Sequence, residues 1–108
     1  MITTHVLDTA RGEPATGVPV ALYRHADDGE WIPIAQGRTD ADGRLRDWLP
    51  PGAWRAGRYR LIFDTAAYLG GAAFFPEAVI TFQVTRPDRH LHVPLLLSPF
   101  GFTTYRGS

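Results

Sequence analysis

The feature of this sequence that most limits its fold is a recurring alternation of apolar and polar residues in short runs. In one run Ile80, Phe82 and Val84 fall on the same face, and in a later run Leu95 and Leu97 do so. Between the runs lie segments rich in Gly, Pro and Asp, namely "RGEPATG", "ADDGE", "DADG", "PPGAWRAG" and "RPD". Period-two runs separated by such turns predict an all-β fold.

Eight strands are expected, over residues 2–7, 18–24, 31–38, 44–48, 58–64, 78–84, 90–97 and 102–106. Strands with one apolar face must bury it, so we expect two sheets that pack face to face as a sandwich. The segment "DTAAYLGG" departs from this pattern: Asp64 or Thr65 can cap one short helix that Gly70 ends. Pro94 has no N–H donor and predicts an irregularity in the seventh strand.

Composition limits the classes of protein that remain. A chain of 108 residues, 44% of them hydrophobic, is expected to form one domain over residues 1–108, and its small core favours oligomerisation. A formal net charge of zero favours neither nucleic acid nor an anionic membrane as a partner. Without cysteine there is no thiol nucleophile or Cys-based metal site, and without lysine there is no Schiff base. The N-terminus resembles no signal peptide, so a cytoplasmic protein is expected.

The four histidines are the first candidates for chemistry. His5 lies in the first strand, where a histidine is usually half-buried and hydrogen-bonded. His90 and His92 share one face of the seventh strand, because side chains two residues apart point the same way. This spacing also suits a metal site, which would need a third ligand such as His5, although no neighbouring carboxylate completes it. His25, in "RHADDG", is expected to be solvated.

Arginines offer the complementary charge. Arg44 and Arg46 share one face of a short strand, and Arg106 stands in the terminal "YRGS". If the first, seventh and last strands lie in one sheet, His5, His92 and the C-terminal segment line one outward face. Imidazoles exchange protons near neutrality and guanidiniums stabilise developing oxyanions. No Ser-His-Asp order or nucleophile elbow is visible, so direct attack by water is favoured over an acyl-enzyme.

Four blocks of the chain resemble those of a known family: "THVLDTARGEPATGVPVALYR", "TDADGR", "FFPEAVITFQV" and "HLHVPLLLSPFGFTTYRGS". They are similar to the 5-hydroxyisourate hydrolases, the enzymatic branch of the transthyretin-like proteins, and the resemblance spans residues 3–108. The terminal "YRGS" is the most specific block, because hormone-carrying transthyretins lack it. Leu91 and Phe102 stand where many members carry tyrosine, and Thr103 where many carry serine, which leaves the chemical groups intact.

The resemblance implies a sandwich of eight strands with one short helix. It also implies a homotetramer, a dimer of dimers, with active sites in the channel between the two dimers. The implied reaction is hydrolytic ring opening of 5-hydroxyisourate to 2-oxo-4-hydroxy-4-carboxy-5-ureidoimidazoline in urate degradation, with no cofactor and no metal.

The family's site residues carry over one at a time. The histidine of "HVLD" falls on His5, the arginine of "DGR" on Arg44, and the histidine before "VP" on His92 rather than His90. The resemblance implies that the two imidazoles activate water and pass its proton to the leaving ring nitrogen, while Arg44 binds substrate and stabilises the oxyanion. The terminal motif would close the pocket and bind substrate through Tyr105, Arg106, Gly107 and Ser108. The resemblance also implies that Ser108 is catalytic.

Two alternatives share this fold. A binding module would carry a ligand in the same channel without turnover, and a structural sandwich would serve only protein contacts. Both histidines, Arg44 and the terminal motif argue against the first. The second leaves the polar C-terminus without a purpose, although fold alone never excludes it.

Overall fold

A computed structural model describes residues 1–107 of the chain. Its ten strands, numbered along the chain, are β1 (Ile2–Asp8), β2 (Glu13–Pro14), β3 (Pro19–His25), β4 (Trp31–Arg38), β5 (Arg44–Leu45), β6 (Gly57–Phe63), β7 (Ala78–Val84), β8 (Leu91–His92), β9 (Leu95–Ser98) and β10 (Gly101–Thr104). One α-helix, α1 (Thr65–Leu69), is followed by a 3-10 turn over Gly70–Ala72. The predicted all-β sandwich with one short helix is confirmed.

The first sheet is built around β1. On one side of β1 lie β8 and then β9, both parallel to it, and β10 pairs antiparallel with β9 at the outer edge. On the other side lie β5 and β2, both antiparallel. The second sheet has the order β4-β3-β6-β7 and is antiparallel throughout. This topology places β1 between the strand that carries Arg44 and the strand that carries His92.

The core lies between the two sheets. Its largest fully buried side chains come from both of them, and they include Ile2, Leu22, Tyr59, Leu61 and Phe63. Full burial of one such side chain stabilises the fold by about 1.5–3 kcal/mol. Core packing therefore fixes which side chains of β1 and β6 point inward. The side chains on the opposite faces of these strands point toward solvent or a ligand.

Two expected strands are shortened or divided in the structure. The strand expected over residues 44–48 stops at Leu45, because Asp47 adopts φ 55° and the Trp48 indole turns inward to donate to the Ile2 carbonyl at 3.1 Å. The strand expected over 90–97 is divided into β8 and β9 by Pro94, as the missing donor predicted. Strand β2 was not expected, because its two residues are too few to show a period-two pattern in the sequence.

The last strand also differs. It was expected over residues 102–106, but β10 ends at Thr104, and the chain returns to the sheet only at Gly107, in a single bridge to His92. Tyr105 and Arg106 therefore lie outside the ladder. His25 closes β3 and packs half-buried against Trp31, with ring centroids 4.8 Å apart, so its expected solvation is wrong. No helix within residues 1–107 is both long and apolar enough to cross a membrane.

Candidate active site

Strand β1 presents two polar side chains on its outward face. Its burial alternates along the strand, with Ile2, Thr4 and Val6 inward and Thr3 and His5 outward. Thr4 is buried and donates its hydroxyl hydrogen to the Val93 carbonyl at 2.6 Å, which ties β1 to the start of the next parallel segment. The pleat thus sets His5 on the outer face, as the sequence predicted.

The turn "TDADGR" positions Arg44. One carboxylate oxygen of Asp40 accepts the backbone N–H groups of Asp42 at 2.8 Å and Arg44 at 2.9 Å. The bond from Arg44 holds the pKa of the Asp40 carboxyl below its usual value. Gly43 adopts φ 74°, and a Cβ there would lie 2.5 Å from the Val6 carbonyl oxygen. Only glycine fits this tight approach, so the turn geometry fixes where β5 begins.

The same turn orients His5. Its Nε2 lies 2.8 Å from the Asp42 carbonyl oxygen. Because a carbonyl oxygen only accepts, Nε2 carries the hydrogen, and in the neutral imidazole Nδ1 keeps the lone pair. His5 is also the register partner of Arg44 across β1 and β5. The turn therefore positions the Arg44 guanidinium and also fixes the tautomer of His5 on the neighbouring strand.

On the other side of β1, one hydroxyl joins two histidines. Thr3 Oγ1 lies 2.8 Å from Nδ1 of His92 and 3.0 Å from Nε2 of His90. Thr3 and His92 are register partners across β1 and β8. His92 is half-buried and His90 is exposed. The two imidazoles are therefore connected, and not merely adjacent on one face.

The surroundings of His92 disfavour its charged form. Burial lowers its pKa below the usual value of 6.5, and the positive charges of Arg44, His5 and His90 lower it further. A neutral imidazole at neutral pH is able to accept a proton. This is the protonation state that a general base requires.

The C-terminal segment closes on His92. The Gly107 N–H donates to the His92 carbonyl at 2.7 Å. A Cβ on Gly107 would lie 2.7 Å from Cδ2 and 3.3 Å from Cγ of the His92 ring. The glycine of "YRGS" therefore allows the backbone to lie against this imidazole. Ser108, expected to be catalytic, lies outside the described residues.

Two shallow cavities flank His90. The first, of about 260 Å³, is lined in part by Thr3, Arg44, Arg46 and His92. The second, of about 250 Å³, is lined in part by Tyr105 and Arg106, and His90 borders both. The structure thus brings Arg44 and His92 to one cavity, with His5 beside Arg44 on β1, and places Tyr105 and Arg106 in the neighbouring one.

Sequence reasoning missed two members of the site. Thr3 was not singled out, although its position two residues before His5 puts it on the same strand face. Asp42 contributes a backbone carbonyl, which leaves no signal in residue type. Within residues 1–107, no three His, Asp or Glu side chains are grouped closely enough to hold a metal ion.

Comparison with solved structures identifies the class of the fold. Sea bream transthyretin in complex with thyroxine superposes with a TM-score of 0.91 at 36% identity, covering 98% of this chain and 93% of that one. The 5-hydroxyisourate hydrolase of Klebsiella pneumoniae superposes with a TM-score of 0.84 at 36% identity, covering 99% and 97%. The fold is that of the transthyretin-like β-sandwiches.

Sequence comparison gives the family. The model of the HIUase/Transthyretin family matches residues 2–107, and the chain belongs to this family. The mouse 5-hydroxyisourate hydrolase is 43% identical, over 99% of this chain and 94% of its own length. The 5-hydroxyisourate hydrolase of Caulobacter vibrioides is 46% identical, over 99% and 97%. The resemblance read from the four sequence blocks is confirmed.

Proposed function

We propose that this protein hydrolyses 5-hydroxyisourate in urate degradation. The observation that carries the proposal is the convergence of His5, Arg44 and His92 on the outward face of one sheet, with the backbone of Gly107 packed against His92. The relatives named 5-hydroxyisourate hydrolase support it, as does the Arabidopsis thaliana uric acid degradation bifunctional protein, 47% identical over 99% of this chain and 37% of its own length.

In the proposed mechanism His92 takes the first proton. Its lowered pKa keeps it neutral, and Thr3 holds its Nδ1, so Nε2 accepts a proton from water as the water oxygen attacks the substrate carbonyl. Arg44 stabilises the oxyanion that forms on that carbonyl. We assign His5 to the leaving ring nitrogen. Because Asp42 holds its Nε2–H, His5 would donate from Nδ1, which carries a hydrogen only in the imidazolium form.

This mechanism requires only a modest rate acceleration from the protein. General acid–base help typically contributes about 100- to 10,000-fold in rate. The remaining acceleration comes from positioning substrate between the arginine and the imidazoles. We propose that Tyr105, Arg106 and Ser108 complete the pocket and that neither a metal nor a cofactor takes part. The entire chain, residues 1–108, would then be one catalytic domain, and its cytoplasmic location stays a prediction.

Assembly into a homotetramer is part of the proposal. In the described residues β7 pairs only with β6 and β10 only with β9, so each sheet has an open edge there. Phe74 and Phe100 are 68% and 80% exposed. Open edges and exposed aromatic side chains favour pairing with a second copy.

The test is a turnover assay. Urate oxidase generates 5-hydroxyisourate from urate, and the ultraviolet absorbance of the intermediate is followed with and without this protein. We expect the protein to speed its loss well beyond the spontaneous rate, and a chelator to leave that rate unchanged. His92→Asn should lose most of the activity while keeping the fold. Unchanged decay with folded protein would contradict the enzyme, and chelator-sensitive turnover would restore the metal site.

A ligand carrier is the second candidate, because a transthyretin bound to thyroxine superposes at the higher TM-score of the two solved structures described above. The overall fold does not separate the two functions. A carrier would bind its ligand with no change in ligand absorbance over time and would tolerate His92→Asn. Loss of turnover in that variant therefore distinguishes the enzyme from the carrier.

A further inference from the structure

We propose that Arg46 is a second anion-binding residue of the active site, and that it binds the carboxylate formed when the substrate ring opens. The proposal rests on the proposed hydrolase function and adds one residue to the expected site. Its basis is the cavity of about 260 Å³ that Arg44 and Arg46 line together with His90 and His92.

The ionisable groups that line this cavity are all bases. They are two guanidiniums and two imidazoles, and the other lining residues are Thr3, Thr4 and Leu45. The whole chain, by contrast, has a formal net charge of zero. A cleft lined by charges of one sign attracts ions of the opposite sign and raises their local concentration. The cavity therefore favours an anionic ligand.

The side chain of Arg46 is available to such a ligand. Burial alternates over residues 44–46, with Leu45 buried and both arginines exposed, so the two guanidiniums leave the same face of the chain. Within residues 1–107 neither arginine forms an ion pair with a carboxylate. Both guanidiniums therefore keep donors that a bound anion can use.

The carboxylate of Asp40 lies near both arginines but serves the turn. A bond from the Arg44 backbone N–H is the main cause of the lowered pKa of Asp40, and the charges of Arg46 and Arg44 lower that pKa further. Its Oδ1 accepts the N–H groups of Asp42 at 2.8 Å and Arg44 at 2.9 Å. Asp40 does not line the cavity, so it leaves the space between the guanidiniums to a ligand.

The proposed reaction supplies the anion. Water adds to the ring carbonyl, the ring C–N bond breaks, and one hydrogen of the water goes to the leaving nitrogen. The new carboxylic acid ionises near neutral pH, so the other hydrogen leaves as a proton and two oxygens share one negative charge. Arg44 stabilises the oxyanion that becomes one of these oxygens. Arg46, two residues further along the same face, binds the other, because guanidinium donors match a carboxylate.

The test measures binding without turnover. Ureidoacetate carries a carboxylate and a ureido group, as the product does, and ureidoacetamide replaces the carboxylate with a neutral amide. Each is titrated into isotope-labelled protein, and its dissociation constant is obtained from the NMR shifts of the backbone amides of residues 44–46. We expect Arg46→Gln to weaken binding of ureidoacetate about 5- to 20-fold, since a charge-assisted hydrogen bond is lost at an exposed site. Binding of ureidoacetamide should change by less than about twofold, because the amide lacks the charge that Arg46 recognises.

Two further variants serve as comparisons. Arg46→Lys keeps the charge but loses the planar fork, so it should weaken ureidoacetate binding by about two- to fivefold. Arg58→Gln removes an exposed arginine from the other sheet and should leave both dissociation constants unchanged.

Three outcomes would overturn the proposal: unchanged affinity of folded Arg46→Gln for ureidoacetate, an equal loss of affinity for the acid and the amide, or a parent chain that binds no ureidoacetate. The hydrolase function fails in a different way. A parent chain that binds ureidoacetate through Arg46 but does not speed the loss of 5-hydroxyisourate would support the anion site and contradict the enzyme.

Discussion

The contact between Gly107 and His92 allows the effect of one methyl group to be predicted. In Gly107→Ala the new Cβ would lie 2.7 Å from Cδ2 of the His92 ring, whereas ordinary contacts begin near 3.4 Å. The ring cannot retreat freely, because Thr3 holds its Nδ1 at 2.8 Å. The backbone cannot lift freely either, because the Gly107 N–H donates to the His92 carbonyl at 2.7 Å. One of these two hydrogen bonds must lengthen.

The size of the effect follows from the required displacement. Relieving the overlap moves either the His92 ring or the terminal backbone by about 0.7 Å. A misplacement of about 1 Å in a catalytic group can cost roughly 100-fold in rate. We therefore expect kcat/KM of Gly107→Ala to fall on the order of 10- to 100-fold. Loss of one hydrogen bond at this surface lowers the free energy of unfolding by at most about 1.5 kcal/mol.

The assay compares two alanine variants under identical conditions. Turnover of freshly generated 5-hydroxyisourate is measured by absorbance, and stability by thermal unfolding. Gly71→Ala is the control, because a Cβ at Gly71 meets no atom within 4 Å and the residue lies in the remote 3-10 turn. Normal kcat/KM in folded Gly107→Ala would refute the reasoning, since it would mean that the terminal backbone does not constrain the imidazole during the reaction.

Assembly and the titration of His92 give three further predictions. Light scattering at micromolar concentration should give the mass of four chains, and an active, stable monomer would show that one chain builds the whole site. In an NMR titration His92 should have a pKa below 6.5, so the acid limb of the pH profile of kcat/KM lies below that pH. Arg44→Gln should raise this pKa by removing a neighbouring positive charge, and an unchanged pKa would show that Arg44 does not lower it.

Several features of the site could be read from the sequence because they depend on local geometry. Side chains alternate along any strand, so the alternation of apolar residues placed His5 on the outward face of β1 without knowledge of its neighbours. The same rule placed His90 and His92 on one face. The turn "DADG" before Arg44 was likewise visible, because Asp and Gly have specific roles in a tight turn. The family resemblance added which of these outward-facing residues belong to the active site.

Strand ends were less predictable, because tertiary contacts decide them. The chain leaves the sheet after Leu45 when the Trp48 indole finds the Ile2 carbonyl, which lies on a strand 46 residues earlier. Tyr105 and Arg106 lie outside the ladder, although the sequence pattern predicted that the last strand would continue through Arg106. Period-two patterns give the direction of a side chain, but they do not show where a backbone loses its partner.

Only the tertiary structure could reveal the connection between the two imidazoles. Thr3 meets His90 and His92 across 87 and 89 residues of sequence, because β1 pairs in parallel with β8 at one particular register. A shift of one residue would turn the hydroxyl to the core and separate all three groups. The sequence by itself determined which groups face outward, since the pleat is a property of each strand alone. The parallel pairing decided which of them touch, since register is a property of the packed sheet.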